Sequence, residues 1–316
     1  MRLVAQMDDI STINFNKDST FVILLEAQNR GHEIFYYTVP TLSYEAHSNN
    51  LFALVHKITL NNSQNFYQIV ESFYANLSEF DAILVRQDPP FDMNYITATY
   101  LLENIQDRVL ILNNPSEIRN CPEKIFVSQF PDLIAPTLIS SDFEAIKKFH
   151  QLHREIILKP LYSFGADGVI LIKDHDLNLA AICEMMLSNY KTPIIAQKFI
   201  AKVSAGDRRL IMVDGQFVGG IIRLAQAGEI RSNLFTGGLA QKLTPSAREL
   251  EICEIIGPEL KKRNLFLVGI DVIGDYLTEI NVTSPTCIQE ANYFNGGKIE
   301  EIIVQKIEEM LHRKKF

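Results

Sequence analysis

The sequence predicts an α/β protein in which an open parallel-sheet domain is followed by a mixed, α+β part. Three observations carry this prediction. Residues 3–39 run from an apolar strand through a polar loop and a helix-spaced stretch into a second apolar strand, the unit that builds parallel sheets. Two more apolar runs, Ala82 to Arg86 and Val109 to Asn113, flank a helix expected near Tyr95 to Ile105. Far downstream, VGIDVIGDYLTEINVTSPT at residues 268–286 reads as a β-hairpin with acidic side chains among apolar ones.

Each element has a local reason. Leu3 to Met7 is the first strand, and a polar loop follows to Lys17. A helix is expected from about Ser19 to Arg30, because Phe21, Leu24, Leu25 and Gln28 recur at helical spacing and Gly31 punctuates the end. Glu33 to Val39 is the next strand. Loops after such strands carry ligands, which singles out Met7-Asp8-Asp9 and Arg86-Gln87-Asp88-Pro89-Pro90-Phe91-Asp92. The paired prolines stiffen the second loop, so Arg86 and Asp88 suit a carboxylate-bearing substrate; an internally paired surface turn also fits the spacing.

In the middle, strands are expected at Glu155 to Lys159, Val169 to Lys173 and Ile194 to Ile200. Lys124 and Lys159 sit in apolar settings, and a buried ammonium costs free energy unless it meets an anion, which suggests phosphate contacts. Read alone, Lys124 better fits a helix lysine whose stem snorkels. The run Tyr162 to Gly168 offers glycines for phosphate approach, yet it equally suits a hairpin turn. Next come apolar strands joined at Asp214-Gly215, a loop from Gln226 to Gln241, a helix from about Ser246 to Arg263 and a last helix from about Lys298 to His312. Arginines on the stem and tip of that loop favour a lid over an anion.

The acidic hairpin offers hard oxygen donors. Alternate strand residues share a face, so Glu279 and Asn281 point together while Thr278 and Ile280 point away. Asp271 joins them if a three-residue connection at Gly274, Asp275 and Tyr276 sets it opposite Glu279; a two-residue turn would pair it with Thr278 and turn it away. The metal reading requires the first. Oxygen donors without His or Cys suit Mg²⁺ or Mn²⁺ and leave positions for phosphates. A solvated edge would also show this pattern, but Val268, Ile270, Val272, Ile273, Leu277, Ile280 and Val282 would bury the hairpin, and a buried carboxylate needs a cation or donors.

Composition bounds the partners. At 316 residues and 47% hydrophobic content the chain can bury a sizeable core, and its net charge of −8 disfavours nucleic acid. No apolar run approaches the roughly 20 residues of a membrane span, and Met1 to Gln6 is too short and uncharged for a signal sequence. A cytoplasmic protein with small-molecule partners is expected. The four cysteines, Cys121, Cys183, Cys253 and Cys287, show no paired spacing and read as packed thiols, and His150 and His153 as a solvated helix face.

The runs LLEAQNRGHE, RQDPPFD, ILKPL, GDRR with MVDG, the stretch from Arg223 to Asn233, and GIDVIGDYLTEINVTSPTCI stand in an order that resembles the ATP-grasp superfamily and, closely, the bacterial glutathione synthetases. The resemblance implies an N-terminal domain at 1–120, a lid subdomain at 121–200, and a catalytic part at 201–316 with a mobile loop at 226–241. It implies ligation of γ-glutamylcysteine to glycine through an acyl phosphate, with ATP as co-substrate, two Mg²⁺ or Mn²⁺ ions, and a homotetramer. By position, Lys124 and Lys159 resemble the adenine-side and phosphate-contacting lysines, and Gln197, Lys198, Phe199 and Ile200 the hinge that reads adenine. Arg209 resembles a phosphate ligand and, with Arg223, a catalytic arginine; Asp271, Glu279 and Asn281 resemble the metal set. Arg86, Asp88, Arg223, Arg231, Asn233 and Ser284 complete the implied substrate contacts. Two positions depart from the family pattern: YSFGADG is poorer in glycine, and Leu239 stands where arginine is typical.

Overall fold

The computed structural model describes residues 1–226, 234 and 237–314. Among these, three sheets carry the architecture. The first holds β1 (Arg2–Gln6), β2 (Glu33–Tyr37), β3 (Ser43–Glu45), β4 (Asn50–Leu60), β5 (Tyr67–Asn76), β6 (Ala82–Val85) and β7 (Leu110–Leu112). Strands β2, β1, β6 and β7 run parallel in that spatial order, as the apolar runs predict. Antiparallel β4 adds to β2 and carries β3 and β5, which extends the sheet beyond the parallel set. No sequence signal marked β5, because most of its residues are exposed and it offers no apolar run.

Helices α1 (Ser19–Asn29), α2 (Met93–Glu103) and α3 (Pro115–Asn120) accompany this sheet. The carboxylate of Asp18 accepts from Phe21 N at 2.6 Å and starts α1; Asp92 does the same for α2, two residues before the expected start. Tyr95 and Leu102 of α2 pack on one sheet face with Val4, Phe35 and Ile83.

The second sheet, ordered β10-β9-β11-β8, contains β8 (Thr137–Ser140), β9 (Ile156–Pro160), β10 (Ile170–Ile172) and β11 (Ile194–Lys198). Helices α4 (Phe143–His153) and α5 (Leu179–Tyr190) cover it through Ile146, Cys183 and Met186. His150 is buried and bonds Lys173 O at 2.9 Å while His153 packs on Phe149, so the pair is no solvated face.

The third sheet is antiparallel throughout: β12 (Asp207–Val213), β13 (Gln216–Leu224), β14 (Leu239–Lys242), β15 (Leu267–Ile273) and β16 (Tyr276–Asn281), in the order β14-β13-β12-β15-β16. The end of the expected 226–241 loop is therefore strand, since β14 pairs Leu239 to Lys242 with β13. Helix α6 (Ala247–Lys262) opens with a reciprocal Ser246/Glu249 capping box and buries Ile252, Ile256 and Leu260 against the sheet. Helices α7 (Ile288–Asn295) and α8 (Ile299–Lys314) close the chain; Ile299, Ile303, Val304 and Ile307 share a core with α1 and with Ile211 and Val213 of β12. Buried Asn113 joins the first and third sheets: its Nδ2 donates to Leu267 O (2.9 Å) and Val282 O (2.7 Å), and its Oδ1 accepts from Leu267 N (2.8 Å).

Candidate active site

A cleft of about 1270 Å³, open solvent included, lies between the second and third sheets, which is room for a nucleotide-sized ligand. Its floor is a row of charges fixed by strand register. On β12, Asp207 and Arg209 are two apart and share the cleft face, while Arg208 between them points away to Glu249 Oε1 at 2.7 Å. Register sets Arg223 opposite Asp207, Asp271 opposite Arg209, and Glu279 opposite Asp271. Arg209 grips Asp271 with two bonds, Nε to Oδ1 at 2.5 Å and Nη2 to Oδ2 at 2.9 Å. Arg223 adds a contact to Asp271 Oδ2 at 3.0 Å and bonds Asp207.

Asp271 stands opposite Glu279, but not by the expected route. The turn has two residues, Gly274 and Asp275, and pairs Ile273 with Tyr276. Gly274 supplies the positive φ of 61° that such a tight reversal needs. A β-bulge then inserts Thr278 as the extra residue, so Val272 pairs with Leu277 and Asp271 with Glu279. The extra residue moved from the turn into the strand because Leu277 belongs to the core beside Val272 and Ile280. Regular alternation would have set Leu277 on the same face as Glu279.

These carboxyls end up shifted in opposite senses, although burial pushes each of them the same way. Burial pushes Asp207 up to about 6, with Arg223 pulling the other way. For Asp271 burial acts in the same upward direction, but Arg209 and Arg223 outweigh it and hold the carboxyl below its usual range. Glu123 is pushed up to about 7 by burial and then by the neighbouring Glu279 charge.

Both lysines face the cleft. Lys124 is 4% exposed, in a turn rather than a helix, so it does not snorkel. Its Nζ bonds Glu123, donates to Ser163 O at 2.6 Å and lies 3.8 Å from Glu279 Oε1. Burial works against its charge, but Glu279 and Glu123 outweigh that and raise its pKa. Lys159, near the end of β9, is lowered by burial and donates to Gln197 Oε1 at 3.2 Å. Gln197 in turn donates to Thr137 Oγ1 at 2.8 Å, so its side chain positions the lysine. Lys198, Phe199 and Ile200 line the cleft at the end of β11, and Phe199 N is engaged by Glu155 O at 3.0 Å.

The remaining expectations divide. Ser284 lines the cleft and donates to Arg86 O at 3.2 Å. Arg86 is buried beneath the lining: Nε donates to Thr20 Oγ1 (3.0 Å), Nη2 to Pro285 O (2.9 Å), and Nη1 is buried with no partner among the described residues. Asp88 N donates to Asp8 Oδ2 at 2.9 Å, which ties together the two ligand loops singled out in the sequence. Arg231 and Asn233 lie outside the described residues. Cys287 is buried, and burial pushes its thiol up, as suits a packed residue.

Among the described residues no three His, Cys, Asp or Glu side chains converge as a metal cluster, so the candidate set is two carboxylates and one amide. Its chemistry fits Mg²⁺ or Mn²⁺, which take one or two protein carboxylates and complete their shell with phosphate and water. Sequence reasoning missed Glu123 and Asp207 as parts of the site. Asp207 was legible as the i−2 neighbour of Arg209 on one strand face; Glu123 depends on a contact with β16 that no local pattern announces.

The chain is similar to known proteins along nearly its whole length. The model of the prokaryotic glutathione synthetase N-terminal domain matches residues 1–119, and that of the ATP-grasp domain of the same family matches 123–296. The chain is 47% identical over 311 residues to a glutathione synthetase of Brucella melitensis, covering 98% of each chain. It is 43% identical to that of Mesorhizobium japonicum, again covering 98% of each. A crystal structure of D-cycloserine synthetase DcsG superposes with a TM-score of 0.67 at 13% identity over 99% of both chains, a likeness of fold alone. With both family models spanning nearly the whole length and relatives this similar end to end, the chain belongs to the prokaryotic glutathione synthetase family.

Proposed function

We propose that the chain is an ATP-dependent carboxylate–amine ligase that joins γ-glutamylcysteine to glycine, giving glutathione, ADP and phosphate. The observation that carries the reading is the row Arg223, Arg209, Asp271 and Glu279 on neighbouring strands, facing buried Lys124 and Lys159 across one cleft. Family membership brings ATP use and dependence on a divalent cation; which ion, and how many, belong to the proposal, which is two Mg²⁺ or Mn²⁺. Asp271, Glu279 and Asn281 would hold them, and a bound cation would offset charge on the phosphate oxygens.

The cysteinyl carboxylate oxygen attacks the γ-phosphorus, the bond to the β-phosphate oxygen breaks, and ADP leaves. The glycine amine then attacks the acyl carbon, phosphate departs with the acyl oxygen, and the amine proton passes to solvent. Arg209 and Arg223, held by Asp271 and Asp207, present fixed positive charge where negative charge develops, each such contact worth about 3 kcal/mol of barrier. Lys159, anchored by Gln197, and Lys124, anchored by Glu123, face the phosphates, and residues 197–200 face the adenine. The Nη1 of Arg86, buried and without a partner among the described residues, supports a carboxylate of the dipeptide near Ser284. We assign residues 1–120, 121–200 and 201–316 as substrate, lid and catalytic units, and a cytoplasmic homotetramer as the assembly. No described helix is long and apolar enough to cross a membrane.

A coupled ADP-release assay tests the reading. Release is expected only with Mg²⁺, γ-glutamylcysteine and glycine together. Release that persists with another amine and not with glycine would reject the acceptor, and no release above background would reject the reaction.

A further inference from the structure

We propose that Glu123 is a positioning residue that fixes which end of the Asn281 carboxamide lies beside Asp271, an assignment that rests on the cation reading of Asp271, Glu279 and Asn281. Glu123 is tied to the same strand by its backbone, since its carbonyl accepts from Ile280 N at 3.0 Å. An amide presents a donor at one end and an acceptor at the other, and only the oxygen can ligate a hard cation. With the nitrogen toward Asp271 Oδ2, 3.4 Å away, the oxygen would lie against the Glu123 carboxylate, acceptor against acceptor. Turned over, the nitrogen donates to Glu123 Oε2 at 2.8 Å and the oxygen accepts from Arg209 Nη2 at 3.3 Å. Both ends are then satisfied, and the amide oxygen sits beside the Asp271 carboxylate. In its ionised form a carboxylate suits the task because it only accepts, and its second oxygen holds Lys124. One side chain thus orients an amide on the hairpin and a lysine across from it.

The test is calorimetric. The affinity of the full chain for ADP is measured with and without Mn²⁺, and the ratio isolates the cation, because any loss of Lys124 support weakens ADP in both conditions. Glu123→Ala is expected to lower the ratio about tenfold, or ~1.4 kcal/mol. In an Asn281→Asp background either oxygen can ligate, so the same change should leave the ratio unchanged or raise it by removing a carboxylate–carboxylate clash. A fall in both backgrounds alike would make Glu123 merely structural and overturn the proposal, as would no fall in either. Should Glu123→Ala not fold, the isosteric Glu123→Gln carries the same comparison, with a smaller fall. Asn281→Ala without effect on the ratio would remove the cation reading itself, which separates the two failures.

Discussion

Asp271 and Glu279 face each other across a hairpin whose two-residue turn would otherwise pair Asp271 with Thr278. The bulge at Thr278 is the device that restores the pairing, and Thr278 Oγ1 donates to Asp271 O at 3.0 Å to hold it. Replacing that hydroxyl by a methyl leaves a buried carbonyl without this donor. Thr278→Val is expected to destabilise the chain by about 1 kcal/mol, read as a lower urea midpoint at unchanged slope. An unchanged midpoint would mean that the bulge holds itself without the hydroxyl.

Arg209 reaches Asp271 by crossing above Gly269, where a Cβ would stand 3.2 Å from Arg209 Cδ and Nη1 and 3.1 Å from Pro285 Cβ. Alanine there must push the guanidinium or the 284–286 segment, and a displacement of a fraction of an ångström matters when geometry is the catalyst. Gly269→Ala is expected to cut kcat about a hundredfold while the native melting transition persists. Near-normal turnover would show that Arg209 has slack.

The parallel strands and the acidic hairpin were legible because their signals are local. Apolar runs mark β1, β6 and β7, and alternation marks Glu279 and Asn281 as one face. The exposed edge β5 has no such run. The bulge was not legible because it arises from competition between two local preferences, a glycine turn at 274 and a core position for Leu277, and only packing decides between them. Lys124 was legible as a buried cation only in company; its partners Ser163 and Glu279 lie far along the chain.

The two aspartates of the charge row should leave opposite marks on stability. Asp207, raised from 3.8 to about 6, binds a proton in the folded chain that the unfolded chain has lost, so its contribution is full below pH 3.8 and fades as pH rises through 6. Asp271 is lowered, so its contribution is full above 3.8 and is lost as pH falls below that value. Urea midpoints from pH 3 to 7 should therefore show Asp207→Asn flattening the decline between about 4 and 6, with Glu123, raised to about 7, leaving a residual slope of the same sign. Asp271→Asn should flatten the loss below about pH 4. The same pH response in both variants would contradict the assigned shifts.

Glu279 is the member of the candidate metal set that Arg209 and Arg223 leave free, since those arginines engage Asp271 instead. Its carboxylate is therefore the one most available to a cation, with the opposite charge of Lys124 Nζ 3.8 Å away, at simple ion-pair distance. Glu279→Gln keeps the shape, removes the charge and leaves the core positions of Leu277 and Ile280 untouched. Turnover is expected to fall by at least about a hundredfold, as for loss of one preorganised charge contact, with the melting temperature close to the parent. Excess Mg²⁺ should recover little of it, whereas the parent chain, stripped with EDTA, should regain full ADP release when Mg²⁺ is restored. A folded Glu279→Gln variant with near-normal kcat would remove Glu279 from the metal set and leave Asp271 and Asn281 to hold the cation alone.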